Sequence, residues 1–87
     1  MARTTWRKLI SLHFRTFRDS WDFLETCTLS EAELDKTFDN NDGFKEGKPF
    51  TLWTKSRVYF PACYCGEEYV FSVARNPDGI PTDHIGS

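Results

Sequence analysis

Two alternating runs separated by one tight turn constrain this chain more than any other feature. From Val58, the residues Val58, Phe60, Ala62 and Tyr64 alternate with Arg57, Tyr59, Pro61, Cys63 and Cys65. From Tyr69, the residues Tyr69, Phe71 and Val73 alternate with Val70, Ser72 and Ala74. Successive strand side chains point to opposite faces, so each run presents one apolar face and one mixed face. β-branched and aromatic residues suit such a pleated, half-buried surface. Between the runs lies Cys65-Gly66-Glu67-Glu68. With Gly66 and Glu67 as its central pair, the turn is predicted to be type II′, which sets Tyr64 opposite Tyr69 and Cys63 opposite Val70.

A third strand is expected at Phe50 to Thr54, joined to the hairpin by a turn near Lys55-Ser56. Proline cannot donate to a sheet ladder, so Pro61 in the middle strand predicts a bulge or break at Phe60-Pro61. Arg57 to Phe60 would then pair one way and Ala62 to Cys65 the other. After Ala74, Asn76-Pro77-Asp78-Gly79 is turn chemistry, and the tail over 76–87 reads as irregular.

The part before the sheet reads as helical over about 5–38. Thr5 can cap a helix running to Phe17, and Ile10, Phe14, Phe17, Trp21 and Leu24 recur at helical spacing. Asp19 and Ser20 are good N-caps for a short second helix reaching about Cys27. Ser30-Glu31-Ala32-Glu33 is a capping box, flanked by Leu29 and Leu34 as a hydrophobic staple. That helix should end near Phe38, because Asn40-Asn41-Asp42-Gly43 forms turns. The expected fold is therefore α+β: two to three N-terminal helices packed on a three-stranded antiparallel meander over 49–75.

With 87 residues the chain is a single domain over 1–87 with one modest core. No apolar run is long enough to span a membrane and no signal-peptide pattern is present, so the cytoplasm is the default and no membrane partner is expected. The odd count of cysteines, Cys27, Cys63 and Cys65, suggests reduced thiols rather than a disulfide framework. A net charge of −2 does not announce a nucleic-acid binder. The charge is nevertheless segregated: residues 1–18 carry +5, residues 19–46 carry −7, and the remainder is neutral. The basic N-terminal helix is most simply docked on the chain's own acidic segment.

Catalytic and metal motifs fail one by one. In Asp39-Asn40-Asn41-Asp42-Gly43, setting Gly43 at the sixth position of a calcium loop puts Phe38 where an oxygen ligand is needed. Cys63 and Cys65 with Cys27 and His84 lack paired knuckle spacing for zinc. A cysteine nucleophile with His13 or His84 has no third member. No cofactor, metal site or enzymatic activity is expected. Aromatic residues, at 16% of the chain, are too many for a small core to bury completely. Trp53, Lys55, Arg57 and Tyr59 share strand parity if the Lys55-Ser56 turn keeps register, and they form the first choice of contact surface. The acidic Glu31, Asp35, Asp39 and Asp42 are the second.

A further pointer is a resemblance. Ser20-Trp21, then Cys27-Thr28-Leu29-Ser30 leading to Glu33-Leu34-Asp35 and Phe38-Asp39, then Gly47-Lys48-Pro49-Phe50-Thr51, Trp53-Thr54, Arg57-Val58-Tyr59-Phe60-Pro61 and Arg75-Asn76-Pro77 resemble a family of small uncharacterised bacteriophage proteins. The resemblance covers about residues 20 to 86 and includes Thr82, His84 and Gly86. In that family the turn after Asp39 is richer in glycine than Asn40-Asn41-Asp42-Gly43. It transfers no functional residue. The family has no known activity, and the resemblance implies a context only, a phage accessory protein in the bacterial host cytoplasm. The expectation that the chain binds and inhibits a host protein complex without catalysis, as anti-CRISPR and other anti-defence proteins do, rests on its surplus aromatics and segregated charge. The surplus of Trp and Tyr suits a binding hot spot. The alternatives are a single-stranded nucleic-acid-binding module, marked by steep salt dependence, and a minor virion or assembly component, favoured by self-association at micromolar concentration.

Overall fold

The computed structural model describes residues 3–85; Met1, Ala2, Gly86 and Ser87 lie outside the described residues. In chain order the elements are β1 (Arg3–Thr4), α1 (Trp6–Phe17), a 3-10 turn (Trp21–Phe23), β2 (Leu24–Cys27), α2 (Glu31–Leu34), β3 (Phe38–Asp39), β4 (Leu52–Thr54), β5 (Arg57–Tyr64) and β6 (Glu67–Ala74). The fold is α+β, with β2-β4-β5-β6 forming an antiparallel sheet and β1-β3 a separate two-residue ribbon. The expected three-stranded meander therefore gains a fourth strand, and the expected two to three helices reduce to one long helix and a single-turn α2.

α1 begins as its sequence dictates. The Thr5 side chain accepts from the Lys8 amide at 3.1 Å, and the helix ends where Arg18 turns left-handed. Trp6, Ile10 and Phe14 form the buried stripe. Trp6 anchors the helix: its ring packs 4.8 Å from Phe38 and 4.9 Å from Phe50, and its indole donates to the Lys48 carbonyl at 3.0 Å. A Cβ at Gly47 would lie 2.4 Å from that ring, so only glycine lets the loop pass.

The predicted helix to Cys27 is corrected. Ser20 caps only the 3-10 turn, accepting from the Asp22 amide, and Leu24–Cys27 is extended. Leu24 faces Thr54, Thr26 faces Trp53 and Cys27 faces Leu52, with a bulge at Glu25. β2 exists because β4 offers it an edge, which local sequence cannot signal. The capping box of α2 is present in both directions, and Leu29 and Leu34 are buried in one cluster. That helix ends at Leu34 rather than near Phe38, because Phe38–Asp39 is drawn into pairing with β1.

The hairpin forms, but its register differs from expectation. Tyr64 pairs with Glu67 and Cys63 with Glu68, so the central pair is Cys65-Gly66. Both have positive φ, 50° and 79°, which defines a type I′ rather than a type II′ turn. Tertiary packing selects it: a Cβ on Gly66 would meet the Gly43 backbone at 2.9 Å.

Pro61 causes no bulge or break, and β5 pairs with β6 along its whole length. Ladder groups point alternately to either side of an antiparallel strand. The Glu68 backbone points away from β5, exchanging hydrogen bonds with Asn40, so its opposite number Cys63 points away from β6. Pro61 has the same parity as Cys63. Its nitrogen thus faces the β4 side, where β4 pairs only as far as Tyr59. No ladder bond is lost.

Candidate protein-binding face

Strand pairing decides which side chains share a face. Leu52 pairs with Tyr59, and Tyr59 with Ser72; all three are buried beneath α1. Trp53 pairs with Val58, and Val58 with Val73. The two-residue Lys55-Ser56 turn thus places Trp53 on the opposite face from Arg57 and Tyr59, and the expected shared parity is corrected.

The core joins Trp6, Ile10, Phe14, Leu29, Leu34, Phe38, Phe50, Leu52, Tyr59 and Val70, all on the helix side. Both helices supply that layer. The other face of the sheet carries Trp53, Val58, Phe60, Tyr69, Phe71 and Val73, each half-buried and none part of the core cluster. Phe60 and Phe71 stand directly opposite one another with ring centroids 6.3 Å apart. Tyr64, 52% exposed, and Glu67 close the hairpin end. Phe71, on the edge strand, also comes within 5.9 Å of the His13 ring. Neither helix lies on this face, which accounts for the aromatic surplus. At its β6 edge Phe71 and Val73 line a concavity with Phe17 and the tail from Asn76 to Asp83, and Trp53, Val58, Phe60 and Tyr69 are only partly covered.

No lysine or arginine stands within the patch. Arg75 borders one end, donating to the Thr54 carbonyl at 3.0 Å and pairing with Glu25. Lys55 sits at that same end, exposed, with its ammonium 5.7 Å from the Phe23 ring.

The predicted contact residues divide. Trp53 belongs to the bare face and Lys55 to its rim. Tyr59 is 0% exposed, and its hydroxyl donates to Asp19 Oδ2 at 2.6 Å. Burial and that carboxylate push its pKa far above the ordinary phenol value. Thr54 Oγ1 donates to the same oxygen at 2.6 Å. Arg57 lies under the helix end, its guanidinium 3.7 Å from the Phe17 ring and donating to Ser72 Oγ at 2.8 Å.

The acidic set is engaged internally. Glu31 and Asp35 are exposed but both hold Arg7, Asp35 at 2.6 Å from Nε. This is the docking of the basic helix on the acidic segment. Asp39 is buried, accepting from the Asn41 amide, and Asp42 is exposed, accepting from the Phe44 amide.

Two polar centres lie on the helix side. His13 Nε2 is 3.1 Å from Ser72 Oγ, and burial followed by the charge of Arg57 lowers its pKa. Arg57 also donates to Ser72 Oγ, so the guanidinium and the imidazole meet on one hydroxyl. Ser72 is itself buried, and this pairing reads as packing rather than nucleophilic catalysis. Glu68, also buried, accepts from the amides of Glu46 at 2.8 Å and Gly47 at 2.9 Å. Burial raises its pKa, against the pull of the Gly47 amide. It ties the loop after Asn40 to β6.

Among the described residues no group of three or more His, Cys, Asp or Glu is placed to hold a metal ion. Nor is any helix there long and apolar enough to cross a membrane. Sequence reasoning missed Val58, Phe60, Tyr69, Phe71 and Val73 as surface groups, although their alternation was visible; what it lacked was the face the helices would choose. Set against known protein families, curated proteins and solved structures, the chain matches none of them.

Proposed function

We propose that this chain is a non-catalytic protein-binding module whose contact surface is the bare sheet face centred on Trp53, Phe60 and Phe71. In the setting that the phage resemblance implies, its partner is a host protein complex that it occupies and inhibits in the bacterial cytoplasm. The observation carrying this reading is the uncovered aromatic layer. Contiguous apolar faces of this kind on small soluble domains mark interaction sites, and Trp and Tyr dominate binding energies when desolvated.

Single-stranded nucleic acid is a poorer occupant. Stacking platforms work beside cationic groups that track phosphates, whereas Arg57 is turned to the opposite face and Arg75 is tied to Glu25.

The test is affinity capture from host extract with nuclease present, comparing the wild-type chain with Phe60→Asp. A stoichiometric protein retained by the wild type and lost by the variant supports the reading. Equal capture by both moves the contact elsewhere. Recovery of nucleic acid alone, removed by nuclease, would replace the reading with the stacking one.

A further inference from the structure

We propose that, in the absence of another partner, the bare sheet face is occupied by a second copy of this chain, in a closed twofold dimer with the two sheets packed face to face. This rests on the same face as the binding reading and specifies what covers it first.

Three observations argue for a second copy. The first is composition. The patch formed by Trp53, Val58, Phe60, Tyr69, Phe71 and Val73 is uncharged and nearly continuous across β4, β5 and β6. Two such faces meet without bringing like charges together, the Trp53 indole and the Tyr69 hydroxyl being the side-chain polar groups within them. Sheets of this kind pack aligned at about 10 Å, with side chains of the two faces interdigitating.

The second is area. β5 and β6 are eight residues long, so the face runs for roughly 25 Å along the strands at about 3.4 Å per residue. Across the four strands it spans on the order of 15–20 Å. Two copies would together cover about 750–1,000 Å² before side-chain relief is counted, the small end of the interface range, where association is weak and concentration-dependent. The molecule is also thin, with a shortest extent of 19 Å. A second copy supplies the missing layer.

The third is charge at the rim. Glu67 stands exposed at the hairpin end of the face, and Lys55 at the β4–β5 turn, the opposite end of β5. A twofold axis perpendicular to the strands lays the two sheets antiparallel. Glu67 then lies over Lys55 of the partner subunit, and the symmetry repeats that pair at the other end. With strands parallel, each charge would instead face its own copy.

Such an interface is isologous: both copies bury the same patch and leave none for a third. That separates a closed dimer from the open-ended association of a virion assembly component.

Sedimentation of the purified chain between about 1 and 100 µM tests the proposal. The wild type should shift toward dimer across this range and Phe60→Asp should stay a folded monomer with unchanged far-UV dichroism. Glu67→Lys and Lys55→Glu should each weaken the dimer by roughly 3- to 10-fold, counting two exposed pairs per dimer. The double charge reversal should restore it. A wild type that stays monomeric at 100 µM, or a Phe60→Asp chain that still dimerises, overturns the proposal. A double reversal that fails to restore association overturns the antiparallel arrangement. The outcome also separates the two readings: a monomer that still captures a host protein removes the dimer alone, and a dimer that captures nothing removes the host-binding module alone.

Discussion

Tyr59→Phe is the most informative single change, because it separates a buried strut from a contact residue. The ring is fully enclosed and the substitution leaves it in place. What is lost is the hydroxyl's 2.6 Å hydrogen bond to Asp19 Oδ2. Hydrogen bonds to charged groups contribute about 1.5–3 kcal/mol net. The low end applies here, since Asp19 keeps Thr54 Oγ1 at 2.6 Å and the Ser20 amide at 2.9 Å and is not orphaned. The expected loss is therefore about 1.5–2 kcal/mol, a fall in Tm of roughly 6–16 °C for a domain of this size. Since the folded-state phenol titrates far above its ordinary value, the effect should be constant from neutral to mildly alkaline pH. Urea unfolding followed by fluorescence measures it. Thr54→Val shares the acceptor, so the double variant should depart from additivity by at least 0.5 kcal/mol or so. A loss below about 0.5 kcal/mol would refute the reasoning, as would unchanged stability with impaired partner capture.

Three further outcomes are expected. Glu68→Gln leaves one acceptor for the two amides that the carboxylate now holds, and should cost about 1–2 kcal/mol; hydrogen exchange should quicken at Glu46 and Gly47 while the β5–β6 ladder keeps its protection. Burial and Arg57 hold His13 below its ordinary pKa, so its contribution is complete above pH 6.5 and lost as pH falls through the lowered folded-state value; His13→Gln should flatten that part of the stability profile. Lys48, then the Ser30 backbone, hold Glu33 down to about 2, so its support is complete above pH 4.5 and lost as pH falls through about 2; Ser30→Ala should weaken α2 by about 1 kcal/mol at neutral pH, and Glu33→Gln should remove the acid limb seen by circular dichroism.

What the sequence made legible was what depends on near neighbours. The Thr5 cap and the Ser30–Glu33 box are satisfied within three residues, so any context that permits a helix there realises them. The alternation of β5 and β6 likewise survives a change of register, because slipping the pairing by two residues keeps every side chain on its own face. The α+β class followed from these local signals.

The turn, the fourth strand and the site depended on distant partners. Gly66 suits either central position of a tight turn, and local preference disfavoured positive φ at Cys65. Contact with Gly43 and the Glu68 clamp on Glu46 and Gly47 decided the matter from some twenty residues away. β2 is specified by β4 and has little pattern of its own. The site turned on the two residues Lys55 and Ser56: their turn carries Tyr59 under α1 and leaves Trp53 outside. Once Tyr59 takes the Asp19 carboxylate beneath the helix, the opposite parity has no internal destination. Phe60, Tyr69, Phe71 and Val73 must then stand on the far face, where contacts such as Phe60 with Phe71 cover them only in part. Their chemistry is explained by something that covers them, which is why the uncovered face, rather than any polar cluster, carries the functional argument.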